Sequence, residues 1–342
     1  MAVNDNNEIH VGLTGPVRSG KTNLFVDFAK CVELNFHGFR QLHNIKIETD
    51  RTNRKLLRNY YRTLPEATES VTDIRFDLEL DMPSSGGLQP AGTLENKQFT
   101  IHVRDAPGEA AFPSSDLAGK ANPHAEKAKE LDEWFSKAKG IVLVISALHA
   151  GSDEGFETLI DKVEDFFERA GKPEFQNLER VAIAISMFDL LLLRFGNRSR
   201  DIATEPEAVL AILHTLMRPA FDIIKDFRPF PSQERDIDLR FIATSSYGFH
   251  PQLGCANIDA NAEILDPGNS RFPVPLTPDN VRYPYMTADP FIFAALGLDS
   301  PFLFTRDEIL SGILKERDPS APSQPATNTA LPVAENADGT QG

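Results

Sequence analysis

Eight consecutive residues constrain this chain more than any others. Gly15-Pro16-Val17-Arg18-Ser19-Gly20-Lys21-Thr22 has the spacing G-x-x-x-x-G-K-[ST]. Before it, Ile9 to Thr14 reads as a buried strand. After it, Leu24, Phe25, Phe28, Val32 and Phe36 recur at helical spacing, which predicts a helix over Lys21 to Phe36. A glycine-rich turn between a strand and a helix N-terminus forms an anion nest. Gly15 and Gly20 permit the tight path, and the N–H groups through Val17, Arg18 and Ser19 converge on phosphate oxygens. Lys21 is placed to reach β- and γ-phosphates, and the Thr22 hydroxyl to ligate Mg²⁺. The expected ligand is therefore a nucleoside triphosphate with Mg²⁺.

The rest of the chain alternates strand and helix. Gly140 to Ser146 is a continuous apolar run, the pattern of a central parallel strand, and Val181 to Ser186 reads as another. Ile74 to Leu80 and Phe99 to Asp105 each alternate apolar and polar residues, with a Pro/Gly/Ser turn region between them, which predicts an antiparallel hairpin. Helices are expected near Asp50 to Leu64, and over Phe156 to Ala170, Pro206 to Phe227, Pro290 to Leu298 and Thr305 to Arg317. Leu239 to Ser245 reads as a last strand. The expected fold class is α/β: a doubly wound, mostly parallel sheet with one antiparallel hairpin strand and helices on both faces. Its span is 9–317, with an irregular excursion near 251–285, a flexible 1–8, and a disordered tail over 318–342 that is rich in Pro, Ala, Ser and Thr.

Composition narrows the partners. The 342 residues carry 35 basic and 50 acidic side chains, a net charge of −15. Such a surface repels nucleic acid and anionic lipid. The basic cluster Arg51, Arg54, Lys55, Arg58 and Arg62 reads as a solvated helix face. Two cysteines, Cys31 and Cys255, a polar N-terminus and no run of 18 apolar residues point to a cytoplasmic protein without a membrane span. The eight histidines lack metal-ligand spacing.

A second chemical element follows the hairpin. In Asp105-Ala106-Pro107-Gly108-Glu109, a carboxylate at a strand end can hold Mg²⁺ through water, and the Gly108 N–H can meet a γ-phosphate. The plainer reading is an Asp-Pro-Gly turn. Ser186-Met187-Phe188-Asp189 follows the strand Val181 to Ile185, and Thr244-Ser245-Ser246 follows the last strand.

In this order the elements resemble a translation-factor-type GTPase of the P-loop class. The resemblance covers about Ile9 to Leu314 and implies GTP or GDP as the bound nucleotide. Asp189 would then accept hydrogen bonds from guanine N1 and N2, beside Ser186, and a backbone N–H at Ser245 or Ser246 would meet O6. Met187 stands where the family has Lys, and Asp189 alternatively reads as a helix N-cap. Thr68, with Thr63 and Thr72 competing, is the candidate switch threonine that would close over Mg²⁺ and the γ-phosphate. Glu109 stands where Ras-like enzymes place their water-orienting Gln, and a structural salt bridge is its alternative. Arg18 resembles the internal arginine finger of guanylate-binding proteins, with a solvent-exposed Arg as its alternative. Val17 replaces a Gly of Ras-like enzymes and crowds the space beside the γ-phosphate.

Leu64-Pro65-Glu66-Ala67-Thr68 and Asp289-Pro290-Phe291-Ile292-Phe293 resemble the bacterial double-GTPase proteins of conflict and defence systems. That implies a GTP-hydrolysing switch acting on a protein partner or effector, with a second GTPase-like protein as one candidate, and the Arg18 reading invites a homodimer. An ATPase or P-loop kinase, and a scaffold that holds nucleotide without turnover, stay open as alternatives.

Overall fold

A strand covered on both faces must be apolar at every position, and Gly140–Ser146 is buried throughout. The computed structural model describes residues 8–16, 19–33, 37–39, 43–62, 72–83, 94–105, 133–148, 177–226, 237–258 and 281–315. Within them the strands are β1 (Glu8–Thr14), β2 (His43–Thr49), β3 (Thr72–Pro83), β4 (Leu94–Asp105), β5 (Gly140–Ser146), β6 (Arg180–Ser186), β7 (Asp238–Ala243) and β8 (Phe304–Thr305). They form a single sheet in the order β2-β3-β4-β1-β5-β6-β7-β8. β4, β1, β5, β6 and β7 run parallel. β3 is the antiparallel strand of the expected hairpin, in register from Thr72↔Asp105 to Pro83↔Leu94. Its alternation is direct: Ile74, Phe76, Leu78 and Leu80 are buried, whereas Arg75 and Asp77 are exposed. Two antiparallel edges go beyond the sequence expectation: β2, which contributes only Ile45 and Ile47 as apolar side chains, and the two-residue β8.

Helix α1 (Lys21–Glu33) and helix α7 (Asp289–Leu296) share one face of the sheet. Phe28 of α1 packs edge-on against Phe76 of β3 and at a tilt against Phe291 of α7, with ring centroids 5.1 and 5.0 Å apart. α7 comes so close to β5 that a Cβ on Gly140 would overlap the Ala294 carbonyl. On the opposite face Phe135 fills the space a side chain would need at Gly12. Helix α2 (Arg51–Arg62) packs against α1. Asp50 caps it through the N–H groups of Thr52 and Asn53, Leu57 is buried, and Arg51, Arg54 and Lys55 are exposed. These three belong to the basic face expected from the sequence; the side chains of Arg58 and Arg62 lie outside the described residues.

Two expected helices are shorter than their apolar patterns suggest. Pro206 to Phe227 is α5 (Pro206–Met217), a 3₁₀ turn over Arg218–Ala220, and α6 (Phe221–Asp226). Pro219 has no N–H to continue the ladder, so the helix breaks there. Thr305 to Arg317 shrinks to α8 (Arg306–Ser311). A Thr305/Glu308 capping box starts it, and left-handed Gly312 ends it. Two short helices, α3 (Phe188–Leu192) and α4 (Ser199–Ala203), follow β6. Residues 251–258 and 281–285 carry isolated bridges and no helix. The expected helix over Phe156 to Ala170, segments 1–7 and 316–342, and residues 259–280 lie outside the described residues.

The close contact at Gly140 sets a test of this packing. Gly140→Ala is expected to cost about 1–3 kcal/mol through overpacking against α7, seen as a lower urea midpoint at unchanged slope. An unchanged midpoint would contradict the close approach of α7.

Candidate nucleotide site

Parallel strands bring their carboxyl ends to one side of a sheet, and the turns after β1, β6 and β7 meet there. The first is the glycine-rich loop. Gly20 has φ +87°, a left-handed value that favours glycine, and a Cβ on Gly15 would collide with the Val144 carbonyl. The loop therefore lies directly on the end of β5. Ser19 N–H closes back onto the Pro16 carbonyl at 3.3 Å. Lys21 is nearly buried, and its Nζ donates to the Gly15 and Pro16 carbonyls at 2.8 and 2.9 Å. An ammonium held among loop carbonyls is poised for a stronger anionic partner.

The metal-side residues are placed in part. Thr22 is the second residue of α1 and is partly buried. Asp105 ends β4 directly beside Leu13 of β1, so the main chain brings it next to the start of the loop. Thr72, a competing switch candidate, is its partner in β3. Val17, Arg18, Thr63, Thr68, Gly108 and Glu109 lie outside the described residues. Among the described residues no group of three acidic, His or Cys side chains could hold a metal alone. The donors present suit Mg²⁺, which takes one or two protein oxygens and completes its shell with phosphate and water.

The base side forms after β6. Ser186 Oγ hydrogen-bonds the Ser19 carbonyl and so ties the end of β6 to the phosphate loop. Met187 adopts a left-handed conformation, φ 59° and ψ 32°, which costs a non-glycine residue about 1–3 kcal/mol. Its Sδ accepts from Ser146 Oγ at 3.4 Å, and its methyl group lies beside Gly20. The side chain thus packs against the loop that a Lys at this position would brace.

The N-cap of α3 is Met187, not Asp189, which corrects the alternative reading of that aspartate. Asp189 sits inside the helix, 2% exposed, and its Oδ2 has no hydrogen-bond partner among the described residues. Burial pushes its pKa up to about 7, while the Ser245 hydroxyl and the N–H groups of Asp189 and Leu190 pull it down.

Asp189 lines a pocket of about 530 Å³ that opens beside the loop. Gly20, Asn23 and Leu24 form one wall. Ser186, Met187 and Leu190 form a second, and Thr244 to Tyr247 close it. Of the expected site residues, the structure brings Gly20, Ser186, Asp189, Ser245 and Ser246 together around this pocket. Sequence reasoning missed Tyr247 and Asn23, although an aromatic directly after Thr244-Ser245-Ser246 is a usable signal. The 245–248 turn is stitched to the strap at 281–285. Ser245 and Tyr285 exchange backbone hydrogen bonds at 3.0 and 2.7 Å, and Tyr283 N–H donates to the Tyr247 carbonyl at 3.1 Å.

Comparison with known proteins adds little to this geometry. No protein family model and no curated protein sequence matches the chain. Among solved structures it is similar to the S. cerevisiae Ski7 GTPase-like domain bound to GTP, at 12% identity and a TM-score of 0.38, over 86% of this chain and 52% of that one. The same domain bound to GDP and inorganic phosphate matches at 13% identity and a TM-score of 0.36, over 70% and 43%. The chain spans about half the length of the first of these and less of the second. At such scores neither likeness assigns a ligand or an activity.

The buried Asp189 carboxyl sets a pH-dependent test. Its folded pKa, about 7, lies above the unfolded value of about 3.9. Its contribution to stability is full below the unfolded pKa and is lost as pH rises through 7. Asp189→Asn, which cannot ionise, is expected to gain stability relative to the unsubstituted chain as pH rises from about 4 to about 7, with no further change above that. Urea unfolding without nucleotide measures this, and a pH-independent difference would contradict the buried ionisation.

Proposed function

We propose that this protein binds GTP with Mg²⁺ and hydrolyses it as a switch that acts on a protein partner. The observation that carries the nucleotide reading is the buried Asp189 Oδ2, unpartnered among the described residues, in a pocket adjoining the phosphate loop. A buried acceptor without a donor is costly, and a ligand that brings hydrogen-bond donors relieves the cost. Guanine presents N1–H and N2–H₂ on one edge, matched to a carboxylate. Adenine presents the N1 lone pair there, which a carboxylate repels. Ser245 already uses its N–H on the Tyr285 carbonyl, so the contact to guanine O6 falls to Ser246. Met187 packs on the loop side of the pocket and offers an apolar face to the base without the charge of a Lys.

On the phosphate side, Lys21 exchanges the Gly15 and Pro16 carbonyls for β- and γ-phosphate oxygens, and the Ser19 and Gly20 N–H groups join it. Thr22 and Asp105 are the residues that would hold Mg²⁺, with Thr68 joining them in the triphosphate state. When bound, the ion would neutralise charge developing on the phosphates. Arg18 and Glu109 are assigned to hydrolysis on sequence grounds: Arg18 to neutralise transition-state charge from within the loop, Glu109 to orient water. The place in a bacterial conflict or defence system, acting on another GTPase-like protein or a second copy, rests on the resemblance alone.

The test is a base swap. The protein is expected to bind GDP in preference to ADP by at least about tenfold. Asp189→Asn is expected to lose roughly ten- to a hundredfold in GDP affinity and to gain affinity for xanthosine diphosphate, whose C2 carbonyl accepts from the Asn amide. Calorimetry reads both, and phosphate release from GTP in the same samples reads hydrolysis. Preference for ADP, or GDP affinity indifferent to Asp189, would sink the guanine assignment. Tight binding of GTP without phosphate release would leave a nucleotide-holding scaffold.

A further inference from the structure

Arg282 lies outside every motif recognised in the sequence, yet it meets the pocket from behind. It is 3% exposed, and its guanidinium pairs with the fully buried carboxylate of Asp27 on α1 at 3.4 Å. The same group lies 5.4 Å from the centroid of the Tyr247 ring, over its face, and its Nη1 is 3.5 Å from Asn23 Oδ1. Tyr247 and Asn23 both line the pocket. They come from different walls: Asn23 from the helix that begins at the phosphate loop, Tyr247 from the turn after β7.

Main-chain bonds support the same arrangement. Asn257 Nδ2 donates to the Val281 carbonyl at 3.0 Å, and Tyr283 N–H to the Tyr247 carbonyl at 3.1 Å, so the strap that carries Arg282 is fixed to the Tyr247 turn. At its other end Thr287 Oγ1 donates to the Asp27 carbonyl at 3.1 Å and fixes the strap to α1. Among the described residues the Tyr247 hydroxyl is buried without a partner, and the ring face is where Arg282 meets the side chain.

We propose that Arg282 is a positioning residue for the nucleotide base: it clamps the Tyr247 ring and Asn23 together across the two walls, so that Tyr247 is presented to the base while Asp189 reads the base edge. The inference rests on the guanine reading given above. Its chemistry is specific to a guanidinium. A flat, weakly hydrated cation stacks on an aromatic face while its remaining N–H groups reach a carboxylate and an amide at once. An ammonium can keep the ion pair with Asp27 but cannot do all three.

That difference supplies the test. Arg282→Lys keeps the charge opposite Asp27, so no buried carboxylate is stranded and the fold is retained. GDP affinity is measured by calorimetry for the unsubstituted chain, Arg282→Lys, Tyr247→Leu and the double variant. The expected result is a loss of about tenfold when Arg282→Lys is made alone, and little or no further loss when it is added to Tyr247→Leu, since the lysine substitution acts through the ring. Unchanged GDP affinity in Arg282→Lys would overturn the inference. So would an equal loss with and without Tyr247→Leu, which marks a general effect on the fold. These outcomes leave the guanine reading standing. Failure of the unsubstituted chain to bind GDP overturns that reading, and this inference with it.

Discussion

Parallel pairing of β1, β5, β6 and β7 is the constraint from which the site follows. It aligns the carboxyl ends of these strands, so the turn after each emerges on the same side. Residues far apart in sequence then share one pocket: Gly20 after β1, Asp189 after β6, and Ser245 to Tyr247 after β7. The close approach that makes the pocket continuous depends on small groups. Gly15 lies against the Val144 carbonyl, and the Ser186 hydroxyl bonds the Ser19 carbonyl. Larger side chains at either place would separate the loop from the strand ends.

The pocket also holds costs that packing does not relieve. Among the described residues Asp189 Oδ2 is buried without a donor, and Met187 is held left-handed. Strain and unmet hydrogen bonding at one place are a mark of a functional site, because a ligand that supplies the missing partners binds with the cost already met. Behind the pocket two more buried carboxyls are paired at one oxygen only, since Asp27 Oδ1 and Asp289 Oδ2 also lack a hydrogen-bond partner among the described residues. Asp27 is raised to about 6 by burial even with Arg282 beside it, and Asp289 is raised to about 7 while accepting from the Gly38 N–H and the Ser300 hydroxyl. Those two carboxyls hold the helices α1 and α7 to neighbouring loops.

Much of the core was legible in the sequence, since the apolar run at Gly140 to Ser146 and the alternation of Ile74 to Leu80 each have one structural solution. β2 was not, because two isoleucines among polar residues carry too little signal for an edge strand. The broken helix at Pro219 was legible in principle, and the long apolar stripe obscured it. At the site, the glycine-rich loop stood out by its local spacing, and Asp189 was singled out by the resemblance of the segment after β6. Arg282 could not: its partner Asp27 is 255 residues away and its role arises only when the strap folds across α1. The residues assigned to hydrolysis, Arg18, Glu109 and Thr68, are outside the described residues and stand on sequence alone.

The central claim is that the unpartnered oxygen of Asp189 awaits the N–H edge of guanine. A crystal structure of the protein with GDP and Mg²⁺ tests it most directly. The account predicts guanine N1 and N2 within hydrogen-bonding distance of the Asp189 carboxylate, about 2.7–3.2 Å, with the ring between Met187 and Tyr247. A base lying outside this pocket, or an Asp189 carboxylate facing water while the phosphates occupy the loop, would contradict it.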